Sequence, residues 1–431
     1  MGVNEKLLIA MVILMLGIIS DVHGYSMDSV AEPYLISGLL VGVALIISIL
    51  FVIALCAGQS RPNSSASGSI PLSNGRPGMI PAGTIAHRPS ILNGYDIQLQ
   101  NMLHQQVRDR FTFPRQNLTF IKELGVGQYG VVHLAKAVGI SERSQWISNM
   151  VAVKTVKANA RSLDKVNFLR ELDLMKKLRP HPNVLGLMGC CVEKEPFLII
   201  VEYVANGNLL QLLERSRMPY IASLNQSYRQ PVANPVNQRT LLLMAKYVAD
   251  GMAHLASQKC IHRDLAARNV LVGADYSCKV SDFGRAVVGT YVVDSGIKFE
   301  GPLPLRWMAI ESLIDDIHTS LSDVWGFGVL LWEITTLGAR PYGGMAPKQV
   351  VEFVRRGYRM ERPVHCSVDV YNVMMACWST DPDRRPTFTQ LSVDIGRILN
   401  LKTDYVSLNR IDRRLYDGDR TFVDPFEHLD V

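Results

Sequence analysis

Several things are scarce in this 431-residue chain. Cysteine occurs seven times, and the adjacent Cys190-Cys191 pair has no CxxC partner, which excludes the common zinc modules. Cys190, Cys191, Cys260, Cys278, Cys366 and Cys377 therefore read as buried, reduced thiols in a cytosolic region. No basic stripe interleaved with aromatics is present, and a net charge of +6 is mild for this length, so nucleic acid is not an expected partner. Charge is missing altogether from Pro33 to Ser60, and acidic residues are missing from Gly58 to Tyr95. Global disorder is excluded by a hydrophobic content of 48% against 19% charged residues.

The uncharged stretch is informative. Leu35 to Ala57 is almost wholly apolar, and at ~1.5 Å rise per residue it is long enough for the ~30 Å hydrocarbon core of a bilayer. A single transmembrane helix over 34–57 is expected. Arg61, Arg76 and Arg88 follow it, so the positive-inside rule puts the C-terminal part in the cytosol. Upstream, Lys6 precedes the shorter apolar run Leu7–Ile19, and Val22 and Gly24 suit a cleavage site. Residues 1–24 read as a signal peptide, the rival being the uncleaved first helix of a hairpin. The segment 25–33 would then be a short extracellular tail, too small to bury a core. The topology is single-pass type I, expected at the plasma membrane. Gly38 and Gly42 give a small-xxx-small face that suits a homodimer, although glycine is frequent in membrane helices anyway. Cys56 at the boundary is a palmitoylation candidate. Residues 58–112 read as a juxtamembrane linker, Ser-, Pro- and Gly-rich at first.

From Leu118 the pattern changes to alternating apolar and polar residues, as in a strand. Gly125, Gly127 and Gly130 follow, then more strand. Glycines in a hairpin let backbone N–H groups approach phosphate without a Cβ in the way. A strand after the glycines argues against a dinucleotide-binding turn, which needs a helix there. Lys154 ends the apolar run Val151-Ala152-Val153 and needs an anionic partner. Glu171, inside the helical pattern 165–178, is the candidate carboxylate, with nucleotide phosphates as the others. Downstream come His262-Arg263-Asp264, then Arg268-Asn269, then Asp282-Phe283-Gly284. Asp264 suits a base for an attacking hydroxyl, and Asn269 and Asp282 supply oxygen ligands suited to Mg2+.

On these motifs the chain from about Phe113 to Leu399 resembles a protein kinase domain of the receptor tyrosine kinase type, the fibroblast-growth-factor, Ret and Tie-like group. The resemblance implies an α+β bilobal fold: a small antiparallel β lobe with one main helix (113–204 with the hinge) and a larger, mainly helical lobe (205–400). It implies ATP and Mg2+ as cofactors and protein tyrosines as substrates. Val201 would be the gatekeeper. Glu202 and Val204 would bond adenine at the hinge, and Val132, Ala152 and Leu271 would sandwich its ring. Position 266 is Ala, where serine/threonine kinases resemble a Lys pattern, and the cation is Arg268 instead. Trp307, in Pro304-Leu305-Arg306-Trp307-Met308-Ala309, resembles the platform that holds a tyrosine ring.

Asp323 would hold the catalytic loop through its backbone, and Glu311 and Arg385 would form a buried pair. Tyr291 is the only tyrosine between Asp282 and Glu311, and its phosphate would pair with Arg263. Asp294, where related kinases place a tyrosine, suggests partial activity without phosphorylation. Residues 216–239 read as an insert and 401–431 as a tail. Tyr220, Tyr228, Tyr405 and Tyr416 there are candidate docking sites for phosphotyrosine-binding modules. Two rivals remain: a membrane pseudokinase scaffold, which the intact Lys154, Glu171, Asp264, Asn269 and Asp282 argue against, and a true ligand receptor, which the short ectodomain makes less apt than a co-receptor.

Overall fold

The computed structural model describes residues 94–105, 109–127, 130–140, 148–157, 159–223, 236–289, 292–293, 302–401, 405–411 and 415–416. The expected signal peptide, extracellular tail, membrane helix and its Gly38/Gly42 face, Cys56, Tyr228, Tyr291 and Asp294 lie outside them. No helix among the described residues is long and apolar enough to cross a membrane.

The first lobe is one five-stranded antiparallel sheet in the order β1-β2-β3-β5-β4. Its strands are β1 (Leu118–Val126), β2 (Gly130–Val138), β3 (Ser148–Val156), β4 (Leu187–Cys191) and β5 (Leu198–Glu202). Two helices accompany them, α1 (Gly94–Gln105) and α2 (Ser162–Lys177). β3 is the hub, pairing Lys154 with Val132 on one side and with Ile199 on the other. Val151, Val153 and Ile200 are buried on one face of the sheet, and Ala152, Ile199 and Val201 on the face that joins the main core. This is the period-two alternation of a strand buried on both faces.

α1 corrects the linker reading of 58–112. It packs along α2, with Leu99, Met102 and Leu103 against the core and Asp96 accepting from Ser162 Oγ. Its apolar residues fall at helical spacing, i, i+3 and i+4.

The second lobe is mainly helical: α3 (Leu209–Ser223), α4 (Gln238–Ser257), α5 (Ile310–Ile314), α6 (Ser320–Thr335), α7 (Pro347–Arg355), α8 (Val368–Cys377) and α9 (Phe388–Asn400). α6 runs through its centre, with 14 residues buried, and it packs against α4 and α8. Thr319 caps it, accepting from the N–H groups of Leu321 and Ser322. The lobe also carries short two-stranded ribbons: β6 (Cys260–Ile261) with β9 (Val287–Val288), β7 (Val270–Val272) with β8 (Cys278–Val280), and β10 (Val292–Val293) with β11 (Ile317–His318).

The insert begins later than its composition suggests, because α3 continues to Ser223 and α4 starts at Gln238. All six cysteines of this region are free and buried. Burial pushes the Cys190 thiol up to about 11 and those of Cys260 and Cys366 to about 12, so they are poor nucleophiles. Tyr405 is 7% exposed and its hydroxyl donates to Leu399 O at 3.2 Å, so it is a packing residue and not a docking site in this fold.

Candidate functional site

A cleft of about 510 Å³ opens between the lobes. Gly125, Gly127, Gly130, Val132, Ala152, Lys154, Glu171, Val201, Glu202, Val204, Asp264, Arg268, Asn269, Leu271 and Asp282 all line it. Residues more than 150 positions apart in the chain are therefore brought to one wall or the other.

The roof is the β1–β2 hairpin. A Cβ at Gly125 would meet nothing within 4 Å, which leaves backbone open to the cleft. Gly130 answers a different need. A Cβ there would lie 2.0 Å from Thr155 O, so close pairing of β2 on β3 requires glycine. Gly127 N donates to Gly130 O at 2.8 Å and closes the turn.

Behind the hairpin, Lys154 Nζ donates to both Glu171 oxygens, at 2.8 and 2.7 Å, joining strand β3 to helix α2. It also lies 3.8 Å from Asp282 Oδ1. Burial pushes the Glu171 carboxyl up and Lys154 draws it back, with the net direction upward. For Asp282, burial also pushes up, but Lys154, the Gly284 N–H, His262 and Arg268 outweigh it and hold the carboxyl below its ordinary value. Its side chain is 51% open to the cleft, which suits a group held ionised for a cation. The Asp282 backbone is left-handed (φ 62°), while the next residue, Phe283, is 1% exposed and meets His262 at a ring distance of 5.6 Å.

The floor is the loop 262–269. Asp264 pairs with Arg268. Burial pushes the Asp264 carboxyl up, against the pull of Arg268 and His262. Asn269 Nδ2 donates to Asp264 O at 2.8 Å, which commits its amide nitrogen to the loop and leaves Oδ1 as the amide atom chemically suited to a cation. The residues present thus fit Mg2+ as a hard cation: one ionised carboxylate and one amide oxygen on the same cleft wall, with no cysteine or histidine needed.

Asp323 on α6 fixes the start of this loop. Its two oxygens accept from His262 N at 2.7 Å and Arg263 N at 2.9 Å, and Arg263 has a left-handed backbone (φ 66°). Burial pushes the Asp323 carboxyl up, and those two N–H groups oppose it. Arg263 Nη2 approaches His318 Nε2 at 3.2 Å. Arg385 and Glu311 form a two-pronged pair at 2.6 and 2.8 Å away from the cleft, with the Arg385 side chain fully buried.

Sequence reading missed Glu333. It lies on α6 at 1% exposure, and its Oε2 accepts from Ala267 N at 3.0 Å and Trp307 Nε1 at 2.9 Å. Trp307 in turn lies under the Arg268 guanidinium, 4.2 Å from ring centroid to carbon. A carboxylate inside the apolar run 324–334 was the only available signal.

A two-lobed fold with a glycine hairpin above, a Lys–Glu pair behind and an Asp–Arg–Asn loop below defines a catalytic domain of the protein kinase class. The chain belongs to the protein tyrosine and serine/threonine kinase family, which it matches over residues 118–395. It is 43% identical over 304 residues to the tyrosine kinase receptor Cad96Ca of Drosophila melanogaster, covering 70% of this chain and 38% of the relative. It is 40% identical over 326 residues to a fibroblast growth factor receptor of Strongylocentrotus purpuratus, covering 75% of this chain and 32% of the relative. The alignments thus span about a third of the curated relatives' lengths.

Proposed function

We propose that this protein is a transmembrane protein tyrosine kinase, transferring the γ-phosphoryl group of ATP to tyrosine hydroxyls of proteins in cell signalling. One observation carries the reading: Lys154, Glu171, Asp282, Asp264 and Asn269 meet around a single cleft, already joined by the Lys154–Glu171 contact. In this reading Lys154, steadied by Glu171, binds and orients phosphate oxygens. Asp264 accepts the proton of the attacking hydroxyl, and its raised pKa brings it nearer the operating pH. Arg268 offsets developing charge beside it. Mg2+, held by Asn269 and Asp282, supplies positive charge across the phosphates when bound. Val204 and Glu202 present backbone groups to the adenine edge. Val132, Ala152 and Leu271 close on its faces, and Val201 sets the depth of the pocket. Most of the rate enhancement then comes from positioning and electrostatics.

Tyrosine is favoured over serine and threonine because Arg268, which lines the cleft, leans on Trp307, and position 266 is a buried Ala. A membrane anchor at 34–57 with a type I, plasma-membrane topology is supported by the uncharged run and by relatives named as receptors. Homodimerisation or a co-receptor would supply the input, and Tyr291 phosphate paired with Arg263 would regulate the loop.

The full chain in detergent, given Mg-ATP and matched peptides with Tyr, Ser or Thr as acceptor, tests this. Transfer to the Tyr peptide is expected. Transfer confined to Ser and Thr contradicts the specificity, and no transfer with intact nucleotide binding favours a scaffold.

A further inference from the structure

Helix α6 approaches the catalytic loop at two places. Asp323 takes the His262 and Arg263 N–H groups at its first turn. Ten residues on, about 15 Å along the axis, Glu333 takes the Ala267 N–H. Between them, a Cβ at Gly326 would sit 3.4 Å from both Leu265 O and Trp307 O, so the helix runs tight under both segments. The loop is thus held at both ends from one rigid element. Only the Glu333 contact also reaches outside the loop.

The two N–H groups converging on Glu333 Oε2 belong to different parts of the site. Ala267 immediately precedes Arg268. Trp307 supplies the ring on which the Arg268 guanidinium rests, and Arg268 pairs with Asp264. Arg268 is therefore fixed from its backbone side and from its ring side through one oxygen atom. A carboxylate at 1% exposure is a costly group for such a junction. Burial raises its pKa to about 7 even against both donors. Packing alone is served as well by an apolar side chain.

We infer that Glu333 is a positioning residue for the reaction proposed above: its buried oxygen registers Trp307 to the catalytic loop and so keeps Arg268 on Asp264. The inference deepens that reading and rests on it for its kinetic consequence. Glu333 touches neither acceptor nor nucleotide. It acts through Arg268, so its effect falls on turnover and on the tyrosine substrate and not on the nucleotide.

The test uses the full-length protein and four variants: Glu333→Gln, Glu333→Ala, Trp307→Phe and the Glu333→Ala/Trp307→Phe double. Gln keeps an acceptor oxygen for both donors, Ala removes it, and Phe keeps a ring while removing the indole N–H. For Glu333→Ala, kcat on a tyrosine peptide is expected to fall on the order of 10²-fold, the scale of a small misplacement at a reacting centre. Its KM for Mg-ATP should stay within about threefold, because nucleotide contacts are untouched. Glu333→Gln should restore at least half of kcat. The double variant should be no slower than Glu333→Ala alone, since both remove one junction. Hydrogen exchange of peptide 262–269 should rise in Glu333→Ala and not in Glu333→Gln. Wild-type kcat in Glu333→Ala, equal losses in the Gln and Ala variants, or a multiplicative double overturns the inference. So does unchanged exchange at 262–269, a readout that needs no phosphate transfer. A wild-type protein that transfers nothing but shows the expected exchange pattern contradicts the proposed reaction and leaves the junction standing.

Discussion

The two walls of the cleft are held in different ways. On the sheet side β1 has eight of its nine residues exposed, and the key cation pairs with Glu171 across a strand and a helix, with Asp282 3.8 Å away. On the helical side the loop 262–269 is pinned through its backbone by Asp323 and Glu333, two carboxylates of a helix with 14 buried residues. One wall holds its charge beneath an exposed strand. The other builds charge into the core. The sheet-side charges should therefore be removable with little loss of stability, whereas helical-side anchors should cost stability and activity together.

The largest expected effect separates the two. Lys154→Met should reduce transfer by at least ~10³-fold while melting within a few degrees of wild type. The stranded Glu171 already has a raised pKa and takes up a proton instead of staying charged. A large loss of stability in this variant would break the comparison. On the helical side, Arg385→Met strands Glu311 and also removes the donors to Ser379 O and Leu321 O, and should cost ~3–5 kcal/mol in urea unfolding.

Two glycines sharpen the contrast within the roof. Gly130→Ala drives a Cβ to 2.0 Å from Thr155 O and should cost stability on the scale of core overpacking, ~1–3 kcal/mol. Gly125→Ala meets nothing within 4 Å and should leave stability within ~0.5 kcal/mol while raising KM for Mg-ATP. Equal destabilisation by both would mean that the hairpin glycines serve the sheet alone.

A last effect concerns pH. The Glu333 carboxyl is raised from 4.5 to about 7 by burial, so the folded protein holds that proton more tightly than the unfolded chain. Its favourable contribution is complete below pH 4.5 and is lost as pH rises through about 7. Glu333→Gln has no such dependence. The melting temperature of the Gln variant relative to wild type should climb by a few degrees between pH 5 and 8. A constant difference across that range would contradict the shift.

Much of this arrangement was legible in the sequence because phosphoryl transfer demands particular side chains in a fixed order. Lys154, Glu171, Asp264, Asn269 and Asp282 were singled out by chemistry, and the fold brings all five to one cleft. What escaped notice has a common cause. Glu333 and the Trp307–Arg268 contact depend on which segments α6 runs beneath, and no local spacing encodes that. Helix α1 was hidden by the Ser-, Pro- and Gly-rich stretch before it, although Leu99, Met102 and Leu103 carried the periodicity. The role of Gly130 looked like phosphate access, while the nearest obstacle to a side chain there is a neighbouring strand.

The most direct test compares full-length wild type with Asp264→Asn, both incubated with Mg-ATP and mapped by mass for phosphotyrosine. The expected result is phosphotyrosine on the wild type and none on the variant, with nucleotide binding equal in the two. Matching phosphotyrosine on both, or none on either, would contradict a cleft in which Asp264 receives the proton of a tyrosine hydroxyl.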